Sequence, residues 1–145
     1  MGYNKTTGAA AELAVARELA KEGFVVSFPH GDDSKFDLIS TWLKVTKRIQ
    51  VKTASIREQY QTYKVGFYHG NANKEIYKPE EIDVLAVYLP YADDFKHEVV
   101  PGVYFIPVMD AQVGHGTFYP PGTHKQGADK VCKYEKFRNN LDILK

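Results

Sequence analysis

Residues 82–89, Ile-Asp-Val-Leu-Ala-Val-Tyr-Leu, constrain this chain more than any other segment. Seven of the eight positions are apolar and they do not alternate with polar ones. That is the pattern of a strand covered on both faces, because a strand with one wet face alternates. Pro90 ends the run, since it has no N–H to continue a ladder. A strand of this kind needs a layer of structure on each side, and the remaining segments must supply both.

A helix is expected at about 7–22, capped by Thr6 or Thr7 and closed by Gly23. Strands are expected at 24–28, 35–40, 47–54, 59–68 (rich in tyrosine), 82–89 and 103–108. Pro107 argues that the last of these lies at a sheet edge. Residues 114–127, with Pro120-Pro121-Gly122, read as a loop or extended arm, and 128–144 read as a helix. The expected architecture is a single α/β domain over 1–145, with a mixed sheet flanked by helices and a C-terminal arm or helix over about 110–145.

Cysteine and histidine usage removes several function classes. The single Cys132 excludes a disulfide framework and a cysteine zinc site, and the five histidines show no HExxH spacing. No run approaches the ~20 apolar residues of a membrane span, and no secretory leader is evident, so a reduced, cytoplasmic protein without a membrane partner is expected. The net charge of +1 conceals an asymmetry: residues 41–64 carry Lys44, Lys47, Arg48, Lys52, Arg57 and Lys64 against Glu58, a net +5. Such a stretch can face a polyanion, or it can be a solvated strand pair.

On a helical wheel of 7–22, Glu12 falls near the centre of the stripe formed by Val15, Ala16, Leu19, Ala9, Ala20 and Leu13. A carboxylate there is costly to desolvate unless a cation, hydrogen-bond donors or a metal compensates it. Asp37 sits within the expected strand 35–40. In the next strand Gln50 and Lys52 share one face and Ile49 and Val51 the other. If the helix packs on the Gln50 face, Glu12, Asp37, Gln50 and Lys52 converge. Three oxygen-bearing side chains suit a hard divalent cation, and a lysine beside them can position a water for attack on a phosphodiester.

The order helix–Glu12, Phe36-Asp37, Gln50-Val51-Lys52 resembles the PD-(D/E)XK nucleases. Phe36 stands where that family often has proline, and Gln50 where an acid is usual. Residues 82–88 and 103–108 extend the similarity to a small QxK group of that superfamily which includes homing endonucleases of cyanobacterial group I introns. The resemblance implies a restriction-endonuclease-like fold and a site-specific, Mg²⁺-dependent endonuclease acting on double-stranded DNA as a dimer or tetramer. It also implies the roles: Asp37 as principal metal ligand, Glu12 as a second, the Val51 carbonyl as a third, Gln50 orienting a ligand or water, and Lys52 positioning the nucleophile. A Holliday-junction resolvase, a restriction-type nuclease and a catalytically silent DNA-binding module share the same pattern. Lys44, Lys47, Arg48, Arg57, Gln59, Gln61 and Lys64 are the expected DNA contacts, since arginine and glutamine read base edges and lysine holds phosphate.

Overall fold

The computed structural model describes all residues except 1, 32–33, 61, 71, 91–101 and 120–131. Helix α1 spans Gly2–Lys21, so it begins ahead of the expected Thr6 or Thr7 cap. Its end follows from Gly23, whose φ of +92° only glycine adopts without strain. Gly23 N–H donates to the Ala20 carbonyl at 3.1 Å and Phe24 N–H to that of Leu19 at 3.1 Å, the paired bonds of a Schellman turn.

Among the described residues ten strands follow: β1 Val25–Ser27, β2 Leu38–Trp42, β3 Val45–Thr53, β4 Ser55–Arg57, β5 Thr62–Gly66, β6 Tyr68–His69, β7 Glu75–Ile76, β8 Val84–Leu89, β9 Gly102–Pro107 and β10 His115–Phe118. The main sheet is mixed, in the order β1-β2-β3-β8-β9, with β3 and β8 parallel and the other pairs antiparallel. Pro107 does lie on an edge strand, β9. A second sheet orders β10-β5-β4, and β6 with β7 forms a two-stranded ribbon.

β8 is covered on both faces, as its composition requires. Val84 and Ala86 face Ala11, Val15 and Leu19 of α1, together with Ile49, Val51 and Phe105. Leu85, Val87 and Leu89 face the opposite way, into Tyr63, Val65, Phe67, Tyr104 and Phe118. The second cover is therefore a sheet, where helices on both sides were expected.

The C-terminal segment departs from expectation. Among the described residues of 128–144 there is no α-helix, only 3₁₀ turns at Glu135–Phe137 and Asp142–Leu144. The arm at 114–127 holds a strand, β10, and otherwise lies mostly outside the described residues. Asn139 explains the missing helix. It takes a left-handed φ of 52°, donates its N–H to the Val103 carbonyl at 2.7 Å and accepts the Val103 N–H on Oδ1 at 3.1 Å. The segment thus covers the free edge of β9, an arrangement that satisfies backbone groups an exposed edge would leave open.

Candidate active site

The site forms where the main sheet splits. β2 pairs with β3 only as far as Leu38 opposite Ile49. Asp37 precedes β2 instead of lying within it. Its N–H still reaches the Ile49 carbonyl at 2.8 Å, but its carboxylate, not a main-chain carbonyl, takes the Val51 N–H at 3.0 Å. The N–H and C=O of one strand residue point to the same side, so the Val51 carbonyl also faces this open edge. The Gln50 side-chain amide donates to that carbonyl at 3.3 Å.

Helix α1 packs on the Ile49–Val51 face of β3, not on the Gln50–Lys52 face. Ile49 and Val51 are the apolar pair, and burying them under α1 is the favourable choice. Glu12 and Lys52 consequently approach from opposite faces, and Asp37 at the split edge is coupled to both. Within α1 the buried line runs Ala11, Val15, Leu19, with Leu13 65% exposed. Glu12 is half-buried on the flank of that line instead of at its centre. Alanines on several sides of the wheel leave its direction poorly defined.

The electrostatics follow from this placement. Burial raises the Glu12 carboxyl above its ordinary range, and the Asp37 charge raises it further. Asp37 is also raised, by burial first, although the Val51 N–H and Lys52 pull it down. Burial lowers the proton affinity of Lys52, against the opposing fields of Asp37 and Tyr68. Two carboxyls that resist ionisation together suit a cation that relieves both. Among the described residues no three His, Cys, Asp or Glu side chains come together to hold a metal ion, so the donors on offer here are the two carboxylates with neutral oxygens from Val51 and Gln50. That sparse, all-oxygen set fits Mg²⁺, which keeps several of its own waters.

The expected DNA contacts fall in three places. Lys44 and Lys47 lie toward the β2–β3 turn, and Lys44 is seven residues, roughly 23 Å, from Val51 along the strand. Arg48 is engaged in fastening the fold. Its side chain donates to both Asp83 carboxylate oxygens, at 3.0 and 3.1 Å, and to the Pro79 and Glu80 carbonyls. Arg57 and Lys64 line a cleft of about 630 Å³ on the second sheet. Gln59 is exposed in the 3₁₀ turn Glu58–Tyr60 beside it, and Gln61 lies outside the described residues.

Sequence reasoning missed several residues of this region. Lys74 and His115 also line the cleft, with Gly66 and Gly114 and with no carboxylate. Tyr68 forms another part of the wall and lies near Lys52. The Tyr77 ring lies 5.5 Å from the Lys52 Nζ. Tyr68 and His115 lie on β6 and β10, and Lys74 and Tyr77 flank β7, short elements without a strong sequence signal.

The chain belongs to the PD-(D/E)XK endonuclease family, whose model matches residues 3–118. It is a nuclease of PD-(D/E)XK type. A curated relative, protein 5.3 of Escherichia phage T7, is 32% identical over 87 residues, which is 60% of this chain and 74% of that protein. Among solved structures, the bacterial homing endonuclease I-Ssp6803I matches with a TM-score of 0.74 at 20% identity, over 92% of this chain and 87% of that one. That similarity shows the shared fold. Nucleases of this family generally use divalent metals. No helix among the described residues is long and apolar enough to cross a membrane.

Proposed function

We propose that this protein is a Mg²⁺-dependent, site-specific endonuclease that cuts double-stranded DNA, of homing type and acting as a homo-oligomer. The observation that carries the reading is the Asp37 carboxylate held at the split edge by the Val51 N–H at 3.0 Å, with Glu12 and Lys52 electrostatically linked to it. The fold shared with a homing endonuclease supports the finer assignment. Asp37, Glu12 and the Val51 carbonyl would hold the metal. A bound Mg²⁺ would neutralise charge on the phosphodiester and on the leaving oxygen.

The chain's own groups do the rest. The Val51 N–H holds Asp37 at the edge. The Gln50 amide, by its bond to the Val51 carbonyl, fixes the direction of that oxygen. The Lys52 ammonium donates a hydrogen bond that positions the attacking water, whose proton is released to solvent. The water oxygen bonds to phosphorus as the ester P–O bond breaks. Arg57, Lys64, Lys74 and His115 present a basic cleft to the DNA backbone, reached past Tyr68. Gln59, exposed two residues beyond Arg57, would contact bases.

The test is incubation of a linearised plasmid library with the protein and Mg²⁺, with Lys52→Ala and Asp37→Ala alongside. Discrete cuts with wild type, and none with either variant or with chelator, are expected. Binding without cutting would leave a DNA-binding module. Preferential cutting of an added four-way junction would make it a resolvase.

A further inference from the structure

Lys52 has four rotatable side-chain bonds, yet its nitrogen must be held to within a fraction of an ångström to act on one water. Among the described residues, no hydrogen bond or ion pair fixes the ammonium. The close partner it does have is the ring of Tyr77, whose centroid is 5.5 Å from Nζ, within cation–π range.

Tyr77 is itself held firmly. It is only 3% exposed, in the core beneath the second sheet. Its carbonyl accepts the Gln112 amide at 2.8 Å, and the same amide nitrogen donates to the Val108 carbonyl at 2.8 Å. The His69 ring packs 4.9 Å from its ring at 54°. Behind it Glu81 comes within 3.4 Å of His69 Nε2 and accepts the Lys78 N–H at 3.0 Å, which closes the turn just after Tyr77. A chain of packed groups therefore ends in a rigid aromatic surface against the ammonium.

We infer that Tyr77 is a positioning residue for Lys52, its ring serving as the platform that sets the location of the nitrogen at the split edge. The inference rests on the proposal that Lys52 acts in cleavage. A purely structural tyrosine would fill the same space but would be indifferent to the electron density of its ring. A platform would not, because the attraction comes from the negative face of the ring.

The experiment replaces Tyr77 in the full chain with Phe, with Leu, and with a series of progressively fluorinated phenylalanines. Fluorination keeps the shape and drains the ring face. On plasmid DNA carrying the cut site recovered from the library, Tyr77→Phe should cleave within about twofold of wild type, and Tyr77→Leu about tenfold slower. Each added fluorine should slow single-turnover cleavage further, with melting temperature and DNA affinity unchanged. Independently of cleavage, the Lys52 ε-methylene protons should show an upfield ring-current shift by NMR in wild type and Tyr77→Phe, and lose it in Tyr77→Leu.

Absence of that shift in wild type overturns the inference whether or not the protein cuts DNA. A fluorinated series that cleaves uniformly, while Lys52→Ala is inert, overturns it and leaves the nuclease mechanism standing. Full activity of Lys52→Ala overturns both.

Discussion

The Asp37 carboxylate accepts the Val51 N–H at 3.0 Å, in the place where a neighbouring strand would offer a main-chain carbonyl. One side chain thereby ends the β2–β3 ladder and sets a carboxylate at the opening. The same substitution of side chain for backbone leaves the Val51 carbonyl without a β2 partner, and the Gln50 amide donates to it at 3.3 Å.

Asp37→Asn should abolish cleavage while stabilising the metal-free fold. The folded state holds this proton more tightly than the unfolded chain, so the Asp37 charge destabilises the fold above its titration range. The advantage of the variant over wild type should therefore be absent at acid pH, grow as pH rises through the carboxylate range and level off near neutrality. Paired chemical denaturation curves from pH ~3.5 to 7.5 check the sign. A difference that shrinks with rising pH would refute it.

Glu12→Leu should fold at least as well as wild type without metal. The half-buried carboxylate has no ion-pair partner among the described residues, so its removal strands no cation. Mg²⁺ should raise the melting temperature of wild type but much less that of the variant, because binding to the native state alone stabilises it. Cleavage should fall by orders of magnitude. A destabilised, active variant would make Glu12 structural.

Arg48→Gln should lower stability by roughly 1.5–3 kcal/mol, since it removes charged hydrogen bonds from Asp83. Asp83 also takes the Arg48 main-chain N–H at 2.7 Å. Despite the cost of its burial, these Arg48 contacts hold its carboxyl below its ordinary range. Their contribution is present at neutral pH and lost as pH falls through that depressed value, so the variant and wild type should converge in acid. With Mg²⁺ the variant should retain cleavage below its melting point, because the clamp lies away from Lys52.

DNA affinity should fall steeply with salt, and Lys64→Gln with Lys74→Gln should flatten the slope of log K against log salt by about 0.9 for each phosphate that is no longer neutralised. Fluorescence anisotropy on a duplex between about 50 and 200 mM salt measures it. An unchanged slope would remove the cleft from the DNA interface. Lys44→Gln, at the far end of the β2–β3 hairpin, is the control for a general charge effect.

Much of this protein is legible in its sequence because the signals are local. The apolar run over 82–89 demands burial on both faces, and β8 has it. Pro107 requires an edge, and Gly23 ends the helix. The order of Glu12, Asp37, Gln50 and Lys52 carries the family resemblance, because order and spacing along the chain are read directly from the sequence. What the tertiary structure decided is which surfaces meet. Alternation along β3 defines two faces, but only packing chose Ile49 and Val51 for α1, and so brought Glu12 and Lys52 to Asp37 from opposite sides. Asp83 interrupts an apolar run for no reason visible in the run itself; its partner Arg48 stands 35 residues away on the neighbouring strand. Asn139 undoes a helix-compatible segment because the free edge of β9 offers it two hydrogen bonds. Tyr77 reaches Lys52 across 25 residues of chain, through a two-stranded ribbon too short to announce itself. In each case the deciding energy lies in contacts between segments distant in sequence, which periodicity and propensity do not encode.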